Sequence, residues 1–228
     1  MNPQRLLIDS RDRTSQSTLD NCTYVLDKPM VATEKCRVDF VLLFNTMYNL
    51  TSQNNGFVLD GVNRTVPRGY YTSSSFVLAM DTLLKSIDAA TSVVYNSTTG
   101  IANWILGSHI LKPSTMSAVL GTTVTSYTGN FQSFINTSYP QIVQFYSPEL
   151  STDSQRTTNR TSVDATPFLI APLFASYNSL NYYQPNFPML LSCSTSTVSK
   201  ITIYLRDSLG APLENVSDYQ LSLTFFWK

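Results

Sequence analysis

The stretch Tyr219 to Phe225 alternates without a break, and Trp227 keeps its phase. Tyr219, Leu221, Leu223, Phe225 and Trp227 are large and apolar, with Gln220, Ser222, Thr224 and Lys228 between them. A period of two puts the two sets on opposite faces of a β-strand, and so long a row of bulky apolar side chains requires a deep core face. A second strand precedes it. Ile201, Ile203 and Leu205 point one way, Lys200, Thr202, Tyr204 and Arg206 the other, and Asp207 to Pro212 turns the chain. Two such strands in succession commit this part of the chain to an antiparallel sheet with one buried face.

The same signature recurs upstream. Cys22 to Leu26 reads as a first strand closed by Lys28-Pro29. Lys35 to Met47 reads as a second, with Cys36, Val38, Phe40, Leu42 and Phe44 on one wholly apolar face and Arg37, Asp39, Val41 and Leu43 on the other, which becomes apolar halfway, as suits a central strand covered on both sides at its far end. Phe57 to Leu59 before Asp60-Gly61 predicts a short strand and tight turn, and Ser92 to Tyr95 with Ile101 to Leu106 a hairpin. One helix is expected, from Ser73 to about Ala89, capped by Thr72 or Ser73; Phe76, Met80, Leu83, Leu84 and Ile87 form its apolar stripe. Ser114 to Leu120 predicts a helical turn or two ending at Gly121, and Gln141 to Tyr146 a strand. The expected fold is mainly β: an antiparallel jelly-roll β-sandwich with one amphipathic helix and a loop-rich insertion. Residues 1–20 read as an extended N-terminal arm. Residues 21–228 read as a single jelly-roll domain, with the insertion near 151–186. An immunoglobulin-like sandwich is the competing architecture; the helix in a crossover and the missing Cys–Trp–Cys arrangement count against it.

Composition narrows the function. Charged residues are only 13% of the chain, about half the usual share, and formal net charge is zero. No basic surplus marks a nucleic-acid binder, so no specific nucleic-acid binding is expected. The first 13 residues hold no apolar leader core, and no run approaches a membrane span. Sequons at Asn21, Asn49, Asn63, Asn96, Asn136, Asn159 and Asn215 follow from the Asn/Ser/Thr-rich composition. Cys22, Cys36 and Cys193 are scattered and odd in number, which favours free buried thiols over a disulfide framework or a zinc site. His109 is the single histidine and has no nucleophile motif beside it. The carboxylates are dispersed, and no phosphate-binding glycine loop is present. No catalytic residue, metal site or cofactor is expected.

What remains is contact with other molecules. Arg5, Arg11 and Arg13 alternate with aspartates in the arm, cancelling most of their field, and suit a protein-contacting segment. Tyr182 and Tyr183 lie in the aromatic, amide-rich stretch 177–187, which suits a protein partner or a sugar. These five residues are the candidate interface.

Three segments carry a resemblance: LLIDSRDRT near the N-terminus, RGYYTSSSFVLAMDTLLKSI followed by VVYNSTTGIANWIL, and NFPMLLSCSTSTVSKITIYLRDSLGAPLENVSDYQLSLTFFW. Together they resemble the single jelly-roll penton (vertex, or minor capsid) proteins of virophages, polinton-like viruses and related large DNA viruses. The resemblance implies a homopentamer at an icosahedral vertex of the virion capsid, neighbouring double jelly-roll major capsid proteins and assembled in the host cell. The alternative is a carbohydrate- or receptor-binding β-sandwich of a spike or fibre.

Overall fold

The computed structural model describes residues 3–31, 33–138, 142–151, 167–187, 190–208 and 210–227. In chain order its strands are β1 (Gln4–Asp9), β2 (Asn21–Val31), β3 (Thr33–Phe44), β4 (Gly56–Leu59), β5 (Val62–Thr65), then helix α1 (Ser73–Lys85). There follow β6 (Ser92–Asn96), β7 (Ile101–Lys112), β8 (Tyr127–Phe134), β9 (Ile142–Tyr146), β10 (Leu150–Ser151), β11 (Leu169–Pro172), β12 (Leu180–Tyr183), β13 (Leu190–Cys193), β14 (Thr197–Arg206) and β15 (Tyr219–Trp227). Every pairing among them is antiparallel, and they group into two compact units: Met1–Met47 with Pro140–Lys228, and Tyr48–Tyr139.

The first unit is a two-sheet sandwich. One sheet runs β1-β15-β3-β13-β10, with β12 joining β13 along the same edge of β3; the other runs β11-β9-β14-β2. Its core is filled from both sheets: Val38, Val41, Leu43, Leu221, Leu223 and Phe225 meet Tyr24, Phe145, Ile201, Ile203 and Leu205. The apolar set of the two C-terminal strands stands as its alternation predicts, except that Trp227 is only half-buried. The fold is thus the mainly-β jelly-roll sandwich with one amphipathic helix.

Strand β3 departs from its expected phase. Along β15 the register steps from Ser222 opposite Phe40 to Leu223 opposite Val38, leaving Asp39 as the extra residue of a β-bulge. One inserted residue flips every later side chain to the other face. Cys36 and Val38 point into the core, and so do Val41 and Leu43, while Phe40, Leu42 and Phe44 face outward. The aspartate in the apolar run is the cause: an unpaired carboxylate is too costly to bury, so the strand kinks to bring it to donors.

Residues expected to be irregular are paired. Gln4–Asp9, within the expected arm, lies in full register against β15 from Asp9↔Gln220 to Gln4↔Phe225. Ile8 there is buried in the core. Of the expected insertion near 151–186, residues 152–166 lie outside the described residues. The remainder supplies β11 to one sheet and β12 to the other. Strand β2 runs past Pro29, because residues 26–29 bulge from the ladder between Val25↔Lys200 and Met30↔Val198, where proline costs no ladder bond.

The second unit carries α1 and a five-stranded sheet, β5-β4-β7-β6 with β8 on β7. Thr72 caps the helix in a reciprocal pair with Ser75. Phe76, Val77, Met80 and Leu84 are buried, but the helix stops at Lys85 with Ser86 as its C-cap, so Ile87 lies beyond it and is exposed. Asp60 and Gly61, both at positive φ, make the β4–β5 turn. Strand β8, which the sequence reading left unassigned, stacks Phe131 between Trp104 and Tyr127, with centroids 5.2 and 3.8 Å away. Trp104 Nε1 donates to Ser133 Oγ at 2.9 Å.

Candidate interaction face

The outer face of the first unit's larger sheet assembles from four strands. Register sets Tyr182, Leu42, Gln220 and Asp9 in one row, and Phe40, Ser222 and Leu7 in the next. Leu180 pairs with Phe44 beside them. Because the bulge at Asp39 turns Phe40, Leu42 and Phe44 outward, this face is apolar along its middle. Phe44, Leu180, Tyr182 and Leu7 are each about half exposed, at 47, 51, 55 and 53%. The Phe40 and Tyr182 rings lie 5.9 Å apart. A groove of about 410 Å³ opens between Leu42, Phe44, Leu180 and Arg11.

Charged groups border the patch as closed pairs. Arg11 forks onto Asp9, Nε to Oδ1 at 2.8 Å and Nη2 to Oδ2 at 2.5 Å, and Gln220 donates to the same carboxylate at 2.8 Å. The Arg11 guanidinium holds the Asp9 carboxyl far below the usual carboxylate range. At the other border Asp39 accepts from Thr224 Oγ1 (2.7 Å), Ser222 Oγ (3.2 Å), Arg37 Nη2 (2.9 Å) and Arg5 Nε (3.2 Å). Burial by itself raises the Asp39 pKa, but the bonds from Thr224, Arg37 and Ser222 outweigh it and the net direction is down. This cluster also explains why Ser222 and Thr224, expected to be solvent-facing, are buried.

The five residues singled out by sequence therefore separate. Arg5, Arg11 and Tyr182 reach this one face. Arg13 is engaged locally: it donates to the Ser10 carbonyl at 2.7 Å and stands 3.9 Å from Asp218, beside the start of β15. Tyr183 turns the other way and packs against the core. An unbroken period of two puts Phe40, Leu42 and Phe44 on the same face as Cys36 and Val38 and covers both faces at that end; the signal against it is Asp39, a charge inside an apolar run.

A separate polar cluster lies in the second unit. His109 Nδ1 meets Asp60 Oδ2 at 2.5 Å and Nε2 meets Asp88 Oδ2 at 3.0 Å. The hydrogen bonds to Asp60 and Asp88 raise the His109 pKa, and both carboxyls move down. With both ring nitrogens on carboxylates, the imidazole has no free nitrogen with which to activate a nucleophile. Among the described residues no group of three or more His, Cys, Asp or Glu side chains is arranged to hold a metal ion, and no helix is long and apolar enough to cross a membrane.

By fold, the chain falls in the class of antiparallel jelly-roll sandwiches. The sequence matches no protein-family model and no curated protein. Among solved structures it is similar to the mavirus penton protein, with a TM-score of 0.55 over 99% of this chain and 99% of that one, at 8% sequence identity. The likeness is one of fold.

Proposed function

We propose that the chain is a structural, non-enzymatic capsid protein that closes as a homopentamer at the icosahedral vertex of a virion, beside double jelly-roll major capsid proteins. The observation that carries this reading is the end-to-end fold likeness to a penton protein, over 99% of both chains. The apolar sheet face supports it: half-exposed large side chains bordered by neutralised charge pairs are the make-up of a protein–protein contact. A closed ring needs a heterologous interface, in which this face meets a different surface of the next copy. Sedimentation and negative-stain imaging of the purified chain, alone and co-expressed with the major capsid protein of the same genome, test it. Five-membered rings are expected; a monomer that never joins the capsid protein would overturn it.

A second reading rests on the exposed aromatics Phe174, Tyr182 and Phe187, at 79, 55 and 87%. Such rings also stack on sugars, which would make the chain a carbohydrate- or receptor-binding sandwich of a spike or fibre. Glycan-array binding lost in Tyr182→Ala would favour that reading.

A further inference from the structure

Two cysteines far apart in sequence meet on neighbouring strands. Leu191 of β13 pairs with Cys36 of β3, and Cys193 lies two residues further along β13. Both thiols face the same core, Cys36 fully buried and Cys193 half-buried at its margin. Each thiol shifts the titration of the other, raising the pKa of Cys36 and lowering that of Cys193, while the Thr33 hydroxyl beside them donates to the Ser196 carbonyl at 3.3 Å. Cys22 stands apart, on β2 in the opposite sheet, its thiol donating to the Thr18 carbonyl at 3.0 Å.

We propose that Cys36 and Cys193 are an oxidisable pair, which a low-molecular-weight disulfide such as oxidised glutathione converts into an intrachain disulfide clipping β13 to β3. The two thiols differ in the way the chemistry needs. The neighbouring Cys36 thiol favours the thiolate at Cys193 and lowers its pKa, while Cys193 and burial raise that of Cys36. Cys193 is also the one a reagent in solvent can reach. Its thiolate attacks one sulfur of the oxidant, forms a mixed disulfide and expels a thiolate. Cys36 then loses its proton as its sulfur attacks the Cys193 sulfur, expelling the second thiolate. One external disulfide is reduced to two thiols, and these take up the two protons the cysteines released.

Geometry sets what the bond must overcome. Diagonal neighbours on antiparallel strands stand about 7–8 Å apart at Cα, slightly beyond the easy span of a disulfide. Cys193 is the last residue of β13 and pairs there with Leu150 of the two-residue β10, so closing that gap shifts only this short pairing at the strand end. Among the described residues β13 has three paired positions on β3 and two on β10, and a covalent tie there adds to a short strand's hold on the sheet.

The test is to incubate the purified chain with oxidised glutathione, alkylate the remaining thiols and digest without reduction for mass spectrometry. Loss of two hydrogens and a linked Cys36–Cys193 peptide are expected, with Cys22 alkylated. The thermal midpoint should rise by about 2–10 °C. In Cys36→Ser a stable glutathione adduct on Cys193 is expected instead. An adduct on wild-type Cys193 that never resolves, no reaction at all, or a disulfide to Cys22 would overturn the proposal.

Discussion

His109 owes its role to two residues remote in sequence. Asp60 sits in the β4–β5 turn and also accepts the Ile110 N–H at 2.8 Å, while Asp88 follows the end of α1, so protonated imidazole ties turn, strand and helix end together. The folded-state pKa of His109 is raised above its ordinary 6.5, so its contribution is fully present below that value and is lost as pH rises through the raised one. The carboxyls are lowered from 3.8, so theirs is present above that value and lost as pH falls through the folded pKa. Stability from this cluster is therefore greatest between about pH 4 and 6.5. Thermal melts from pH 5 to 8 should show a falling midpoint in the wild type and a flatter profile in His109→Gln. Parallel profiles would count against the ion bridge. The sequence showed a histidine without a nucleophile; it did not show the carboxylates, because Asp60, Asp88 and His109 meet only when the strands pair.

At the scale of the element, β3 decides the character of the sandwich. Its bulge is pinned by Asp39, whose side chain is 9% exposed and accepts bonds from β15 and, beyond it, from β1. Asp39→Ala removes the shared acceptor and leaves buried Thr224 and Ser222 hydroxyls and the Arg37 guanidinium without it. A loss of roughly 2–3 kcal/mol in chemical denaturation is expected. A change under about 0.5 kcal/mol would mean that the bulge is fixed by the surrounding packing instead. The strand itself was legible from its apolar residues. Its phase was not, because periodicity counts residues along one strand, whereas a bulge is defined by the count on its partner. β15 has no such interruption, and its alternation from Tyr219 to Phe225 reads directly as structure. β8, with Gly129 and few aliphatic residues, has too weak an alternation to be seen without Trp104 beside it.

For the whole molecule, the outward turn of Phe40, Leu42 and Phe44 joins β12 and β1 into one apolar face, and the vertex reading makes this face a ring contact. Phe44→Glu with Leu180→Glu places two carboxylates on side chains already half in solvent. The fold and melting temperature should hold while ring assembly falls at least tenfold by sedimentation. Unchanged assembly would place the ring contact elsewhere. The sequence by itself determined that the chain is a β-sandwich with one helix, because local periodicity reports which residues must leave water. It determined the C-terminal strands, the Asp60-Gly61 turn and the helix that begins at Ser73 for the same local reason. Tertiary structure alone decided that the first residues form a strand on β15, that Cys36 reaches Cys193, and which side of β3 faces out. Each of these is settled by a partner strand distant in the chain, whose register no local pattern encodes.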